Sequence, residues 1–234
     1  MKSKIIAFTQ AGRSLPEIFN PDLTEPYYEP PYGSPLEGRF AWAFVKCLHP
    51  EALFQKQASV QTICGNFRLD FLVCKDSMRV GFECDGQDFH DPERDLWRDA
   101  LVLSQQSVDQ IVRLRGTDLY REMDDCLFVL SRWFPELFSE RWHANLGAAA
   151  SFDARQQIIR CMQSERCQID YRELLDEEDD SFILRPACSV EILRRFRMPK
   201  SGRPFWEPFV SYAKRKSGGN LDEIIRAHKE DSPR

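Results

Sequence analysis

The chain has 234 residues, with 32 Lys and Arg against 37 Asp and Glu, so its formal net charge is −5 and its pI is about 5.5. A composition that is 42% hydrophobic, 12% aromatic and 29% charged is typical of a globular protein and excludes disordered and collagen-like chains. No apolar run approaches the ~18–20 residues that span a bilayer, and the first apolar stretch is too short for a signal peptide, so we expect a cytoplasmic protein.

The eight cysteines form no C-x-x-C pair, and no pair of histidines has zinc-ligand spacing. Several of the cysteines lie inside apolar stretches of the sequence. We therefore expect small buried side chains in a reducing compartment.

Residues 1–33 contain five prolines and predict an irregular lead-in. A helix is predicted to begin after Ser34, because Ser34, Pro35 and Glu37 form a capping-box pattern. The apolar residues that follow have helical spacing, and the helix is expected to end before Pro50.

Three strand-like stretches, separated by turn residues, follow this helix. We predict strands over residues 57–64, 67–74 and 79–85, a loop over 86–92, a helix over 93–106, a strand over 110–114 and a helix over 116–134. This order predicts an α/β domain over residues 34–146. From residue 147 onward we expect a mainly helical extension.

The extension contains a basic-aromatic segment, residues 185–216, with nine Lys and Arg against two Glu. Bases interleaved with aromatic residues are typical of surfaces that contact nucleic acid. Amphipathic helices that pack on a core are an alternative explanation. The candidate phosphate-contacting residues of this segment are Arg194, Arg195, Arg197, Lys214 and Arg215.

Carboxylates recur on the second and third predicted strands. Alternation predicts that Asp70 shares the polar face of its strand with Arg68, and that Glu83 shares a face with Asp85. The opposite, apolar face of the second strand would hold Phe67, Leu69, Phe71 and Val73. If the strands are neighbours, Asp70, Glu83 and Asp85 converge, and a hard divalent cation, usually Mg²⁺, would relieve their repulsion. A solvated sheet face is the alternative.

A histidine and two arginines follow the carboxylates closely. Arg94 and Arg98 are four residues apart and would share one helix face near His90. This combination is typical of phosphate binding and proton transfer. Salt bridges from the arginines to neighbouring acids are the competing interpretation.

These residues together resemble the PD-(D/E)xK nuclease superfamily, and within it the very-short-patch-repair-endonuclease-like branch. The matching segments are Phe67 to Leu72, Gly81 to Gly86, His90-Asp91, Arg94, Arg98 to Leu101, and Arg113 or Arg115 at the end of a later strand. They cover about residues 34–133. The resemblance implies a restriction-endonuclease-like αβββαβ core with a mixed central sheet.

The resemblance also assigns roles residue by residue. Asp70 and Glu83 would be metal ligands, and Asp85 occupies the position of the lysine found in the wider superfamily, where this branch often has an acid. His90 would act as general base or acid. Glu37 matches a first-helix Glu that reaches toward the metal, although the capping box explains it equally well.

The leading functional hypothesis is a Mg²⁺-dependent DNA endonuclease, with Mn²⁺ as a possible substitute and a homodimer or partner subunit for double-strand cutting. A catalytically inactive nucleic-acid-binding or protein-interaction module on the same fold is the alternative. The acidic net charge does not exclude DNA. Residues 83–99 contain seven acids against two arginines, so this segment accounts for the whole net charge of −5 and the rest of the chain is neutral.

Overall fold

The computed structural model describes residues 32–86, 91–105, 107–156, 166–175, 184–195 and 206–231. Most of the predicted lead-in, together with His90 and Arg197, lies outside these residues. The helices are α1 Pro35–Cys47, α2 Pro92–Leu103, α3 Gly116–Arg121, α4 Met123–Trp133, α5 Glu140–Ala149, α6 Phe152–Gln156, α7 Glu207–Arg215 and α8 Leu221–Asp231. The strands are β1 Leu53–Thr62, β2 Gly65–Lys75, β3 Met78–Asp85, β4 Gln110–Arg115, β5 Arg166–Leu175 and β6 Leu184–Arg194.

The six strands form one mixed sheet in the order β1-β2-β3-β4-β6-β5. Among the described strands, only β3 and β4 run parallel, and the other neighbouring pairs are antiparallel. A parallel pair requires a crossover connection, which α2 supplies between β3 and β4. The predicted α/β class is confirmed, and the elements from α1 to β4 follow the predicted order.

Helices cover both faces of the sheet. On what we call the first face, α1 and α4 bury a cluster of aromatic rings in which Phe44 of α1 meets Phe82 of β3 with ring centroids 4.9 Å apart. On the second face, α2 buries Val102 and Leu103 with Ile111 of β4. The helices α7 and α8 pack against α2. Among the described helices, none is long and apolar enough to cross a membrane.

The sequence sets where α1 and α2 begin. The hydroxyl of Ser34 accepts a hydrogen bond from the Glu37 backbone N–H at 3.2 Å, and a proline occupies the first turn, so the predicted cap of α1 is confirmed. Asp91 caps α2 in the same way, since its Oδ1 accepts the backbone N–H groups of Glu93 and Arg94, each at 3.1 Å. The first turns of both helices are therefore fixed by side chains next to them in sequence.

The described cysteines are free thiols. Those at positions 47, 64, 126, 167 and 188 are buried, and those at 74 and 84 are half-buried. These positions agree with the expected small buried side chains. Cys161 lies outside the described residues.

The C-terminal third differs from the predicted, mainly helical extension. The strands β5 and β6 come from this part of the chain, and β6 pairs with β4 in the same sheet as the predicted domain. Alternate residues of β6, such as Val190 and Ile192, are buried on the first face. This alternation is a strand pattern. It lies among the bases of residues 185–216, whose charge pattern alone does not indicate a strand.

The predicted faces of the second strand are also wrong. Phe71 and Val73 pack on the first face, whereas Leu69 packs on the second, where its Cδ1 would lie 2.8 Å from a Cβ on Gly81. The strand therefore turns over between residues 69 and 71. The cause is a break in pairing with β1, where Lys56↔Phe71 and Ala58↔Leu69 are paired but Gln57 and Asp70 are not.

Gln57 lies at this break with a left-handed backbone, φ +49°. Such a conformation costs a residue other than glycine about 1–3 kcal/mol, so the surrounding structure must hold it in place. The same break turns β1 over, since Phe54 packs on the first face and Ala58 on the second. Strict alternation along a strand cannot predict an irregularity of this kind.

Replacing Gly218 should destabilise the junction between α7 and the β1–β2 turn. Gly218 has φ +72°, and a Cβ there would overlap the backbone oxygen of Ile63. We expect Gly218→Ala to lower the free energy of unfolding by about 1–3 kcal/mol in urea titrations followed by circular dichroism. The control is Gly86→Ala, whose Cβ would meet nothing within 4 Å. Equal stability of the two variants would contradict the expectation.

Candidate active site

A fork between β2 and β3 places Asp70 at the centre of the candidate site. The two strands are paired from Lys75↔Met78 as far as Phe71↔Phe82 and no further. Beyond that point the Asp70 carboxylate takes the place of a backbone acceptor, because its Oδ2 accepts the Cys84 N–H at 2.8 Å. The fork opens the sheet on the side where β3 ends in Glu83 and Asp85.

Glu37 approaches the fork from the first turn of α1. It is 7% exposed, and its Oε2 accepts hydrogen bonds from the Gly33 backbone N–H and from Nε2 of Gln57, each at 2.7 Å. The carboxylate thus reaches back beyond the Ser34 cap, and a side chain from β1 also holds it. Both explanations offered for Glu37 are compatible with this position, since it stabilises the helix start and its charge acts on Asp70.

Glu83 and Asp85 are both held by arginines on the second face of the sheet. Arg98 of α2 donates to Glu83 Oε1 at 2.6 Å. Arg113 of β4 donates to both oxygens of Asp85, at 2.8 and 3.0 Å. Glu83 and Asp85 share one face, as predicted, and the guanidinium groups of Arg98 and Arg113 occupy that face.

Asp99 connects the two arginines. Its side chain is fully buried, and its Oδ2 accepts from Nε of Arg113 at 2.8 Å while its Oδ1 lies 3.3 Å from Arg98. Charged hydrogen bonds of this kind fix the planes of both guanidinium groups. We call the chain Glu83–Arg98–Asp99–Arg113–Asp85 the buried ion network.

Burial raises the pKa of three carboxyl groups of the site, those of Asp70, Glu83 and Asp99. It raises the pKa of Asp70 to about 6, opposed by the Cys84 N–H and reinforced by the negative charges of Glu37 and Asp85. Burial likewise raises the pKa of Glu83 to about 8, although Arg98 opposes the increase. Near neutral pH the Glu83 carboxyl group therefore binds a proton in preference to carrying a charge, whereas Asp70 does so only at more acidic pH.

The site holds more acid than base. In the described part of the chain, the ion pairs and hydrogen bonds of Glu37, Asp70, Glu83, Asp85 and Asp99 include two arginines, Arg98 and Arg113 of the buried ion network. Carboxylate oxygens are the ligands that Mg²⁺ prefers, so the donor set suits a hard cation in its chemistry. Within the described residues, however, no three acidic, histidine or cysteine side chains come together in a metal-binding arrangement. A cation would require Glu83 or Asp85 to exchange an arginine contact for it.

Arg94 does not reach the carboxylates. Its Nε donates to Asp222 Oδ1 of α8 at 2.7 Å, whereas Arg98, one turn later, points into the sheet. The salt-bridge interpretation therefore describes Arg94 better than phosphate binding, although the acid comes from α8 and not from a sequence neighbour.

The basic residues of the C-terminal segment are not gathered at the fork. Arg194 pairs with Gln110 at the start of β4, the end opposite to the carboxylates, and Arg195 lies 3.6 Å from Asp109. Lys214 and Arg215 are exposed at the end of α7. The structure thus separates candidates that the sequence presents as one segment. His90 and Arg197 lie outside the described residues.

Sequence reasoning missed the structural importance of Gln57 and Asp99. In the sequence Asp99 is one of several acids next to Arg94 and Arg98, and its full burial depends on β4 and the second face of the sheet. Gln57 lies in an ordinary polar stretch of β1, and no signal in the sequence marks its left-handed backbone.

No protein-family model, curated protein or solved structure matches this chain. The resemblance to PD-(D/E)xK nucleases accordingly stays a prediction that depends on the residues quoted for it. The geometry described above is independent of that resemblance.

Neutralising Asp99 should lower the free energy of unfolding more than neutralising an exposed aspartate. Asp99→Asn leaves Arg98 and Arg113 buried without their shared carboxylate, and we expect a loss of about 3–5 kcal/mol in the free energy of unfolding. The matched control is Asp222→Asn, which removes the exposed partner of Arg94 and should cost under about 1 kcal/mol. Urea titrations measure both, and similar losses would show that the network contributes little.

Stability should fall as pH rises through neutrality. The pKa of Glu83 is raised from 4.5 to about 8, so the folded chain binds more protons than the unfolded chain between these values. The free energy of unfolding then decreases with rising pH across this range. Glu83→Gln has no such proton, and we expect the decline between pH 6 and 8 to be largely lost in urea titrations of this variant. Equal slopes for the variant and the wild type would contradict the raised pKa.

Proposed function

We propose that this chain is a metal-dependent DNA endonuclease that hydrolyses phosphodiester bonds, with Mg²⁺ as its cofactor. The observation that supports this most is the surplus of buried carboxyl groups at the fork, where burial raises the pKa of Asp70 to about 6 and that of Glu83 to about 8. A site that disfavours ionised acids stabilises itself by binding protons or a cation. DNA is the proposed substrate because the quoted motifs resemble DNA-cutting enzymes.

We further propose that residues 35–115 form a restriction-endonuclease-like αβββαβ core. The support is the order α1, β1, β2, β3, α2, β4, with the first three strands antiparallel and β4 parallel to β3. In this arrangement the carboxylates lie at the carboxyl end of β3, and the crossover helix α2 supplies Arg98. The proposed core and the proposed chemistry support each other, but they are tested separately.

Within this proposal, each side chain has a defined task. Asp70 and Glu83 hold the metal, and Glu37 supports it from α1. A divalent cation, when bound, would polarise the phosphate and lower the pKa of a water molecule. If Glu83 exchanges its hydrogen bond with Arg98 for the metal, Arg98 would be able to donate to a phosphate oxygen on which charge develops.

An aspartate, Asp85, stands where the wider superfamily has its lysine. It is bonded by Arg113, so a positive charge is still delivered there, by a guanidinium from the neighbouring strand. Arg113 is fully ionised at any relevant pH and cannot accept a proton. Proton transfer is therefore assigned to His90.

The proposal predicts cleavage that depends on Mg²⁺ or Mn²⁺ and is abolished by EDTA. Asp70→Asn and Glu83→Gln should each reduce cleavage by about 100-fold or more, because an amide is a weak ligand for the metal. Asp70→Asn keeps an oxygen that accepts the Cys84 N–H, so folding should be retained. The assay compares duplex, mismatched, nicked and single-stranded DNA.

The control variant for this assay is Asp76→Asn. Asp76 lies in the β2–β3 turn, remote from the fork, and its φ of +52° suits asparagine. It should cut as the wild type does. Metal-independent cleavage, or full activity of Asp70→Asn, would overturn the enzymatic proposal. Binding to DNA without cleavage on any substrate would favour the inactive binding module instead.

A further inference from the structure

A row of cations and an aromatic ring runs along the outer side of α1. Arg39, Trp42 and Lys46 are three and four residues apart, so their side chains share one face of the helix. Lys46 is exposed, whereas Arg39 and Trp42 are half-buried. The Lys46 ammonium nitrogen lies 2.8 Å from the centroid of the Trp42 ring. The rings that α1 buries against the sheet, those of Phe40 and Phe44, lie on a different face of the helix.

The neighbouring helix α3 adds a second ring beside this row. Tyr120 is 60% exposed, and the Arg39 guanidinium carbon lies 4.8 Å from the centroid of its ring. Burial in the core therefore does not explain the position of Tyr120. Arg121, the last residue of α3, is exposed as well. We call Arg39, Trp42, Lys46, Tyr120 and Arg121 the α1–α3 platform.

The platform is positive although the chain as a whole carries a net charge of −5. Each of the two helices contains one acid, and both acids are buried, since Glu37 is 7% exposed and Asp118 is 3% exposed. Both carboxylates accept hydrogen bonds within the fold. The next acids, Glu122 and Asp124, follow at the start of α4. The charges that α1 and α3 present to solvent are therefore those of their Lys and Arg side chains.

The platform begins where β3 ends. A Cβ on Gly116, the first residue of α3, would lie 2.9 Å from the Asp85 backbone oxygen and 3.0 Å from Cδ2 of Leu36. The start of α3, the first turn of α1 and the end of β3 thus meet at one point. A ligand that lies along the platform from Lys46 toward Arg39 would arrive at the end of the strand that carries the candidate carboxylates.

An extended single strand of nucleic acid presents the groups that such a surface binds. Its phosphates attract exposed Lys and Arg side chains. Its unpaired bases stack on aromatic rings, and the ring of Tyr120 is accessible to them. The bases of a duplex are stacked on one another and would have to leave the helix to reach a ring. An acidic peptide would match the cations, but its carboxylates would not stack on the rings.

We propose that the α1–α3 platform binds single-stranded DNA and leads it to the end of β3. The choice of DNA and the importance of its destination rest on the proposed function. The binding itself requires neither a metal nor cleavage. It is therefore measured in EDTA, separately from any nuclease assay.

The contribution of the ring is tested with Tyr120→Leu against Tyr120→Phe. Leucine removes the aromatic face, whereas phenylalanine retains it. Fluorescence anisotropy measures the binding of a labelled oligothymidylate of about 20 nucleotides in EDTA. We expect Tyr120→Leu to raise the dissociation constant by about fivefold or more, and Tyr120→Phe to bind as the wild type does. Urea midpoints check that both variants are folded.

The contribution of the charges is tested with Arg39→Gln and Lys46→Gln. Each removes one phosphate contact, so each should reduce the slope of log affinity against log salt concentration by about 0.7. The matched control is Arg226→Gln, which removes an exposed cation from α8, on the second face of the sheet. The slope of this variant should equal that of the wild type.

Two results would overturn the platform as a binding site: wild-type affinity in Tyr120→Leu, or an equal change of slope in Arg226→Gln. Tighter binding of duplex DNA or of oligouridylate by the wild type would overturn single-stranded DNA as the ligand. Displacement of the oligothymidylate by polyglutamate at equal charge would overturn it in favour of an acidic protein.

The failure of this inference and the failure of the proposed function give different results. A wild-type chain that binds oligothymidylate through the platform but cuts no DNA with Mg²⁺ or Mn²⁺ overturns the endonuclease and supports the platform. Metal-dependent cleavage together with unchanged oligothymidylate affinity in all the platform variants overturns the platform and leaves the endonuclease standing.

Discussion

The ladder between β1 and β2 lacks one pair, between Gln57 and Asp70, and the geometry of the site depends on this interruption. Because the pair is broken, β1 and β2 each present apolar side chains to both faces of the sheet. Because β2 also leaves β3 at this level, the Asp70 carboxylate accepts the Cys84 N–H in place of a strand carbonyl. A regular sheet would have satisfied these backbone groups internally and left no opening for a functional side chain.

The opening is stabilised by charge as well as by hydrogen bonds. Asp99 anchors Arg98 and Arg113 on the second face, and these arginines in turn hold Glu83 and Asp85. The network offsets much of the cost of burying acids, but not all of it, as the raised pKa values of Asp70 and Glu83 indicate. Structure and proposed chemistry thus share one cause, because the same buried carboxyl groups whose ionisation weakens the fold as the pH rises would attract a cation.

The sequence predicted those features that depend on near neighbours in the chain. The start of α1 follows from Ser34 and Glu37, and the common face of Glu83 and Asp85 follows from regular alternation in β3. The turnover at Gln57 could not be predicted, because it interrupts the period on which the prediction relied. The partner of Arg94 could not be predicted either, since Asp222 lies more than a hundred residues further along and reaches α2 only through the packing of α8.

The position of β6 between β4 and β5 has a consequence for how the chain can be divided. A fragment that stops after the predicted α/β domain, residues 34–146, would leave β4 as an unpaired edge strand whose backbone donors and acceptors face water. Buried residues of β4 such as Val112 and Leu114 would lose the neighbouring strand that helps to cover them. Such an edge invites pairing with another chain, so the fragment would tend to aggregate. The N-terminal elements that carry the carboxylates therefore depend on the C-terminal third, because β6 pairs with the edge of β4.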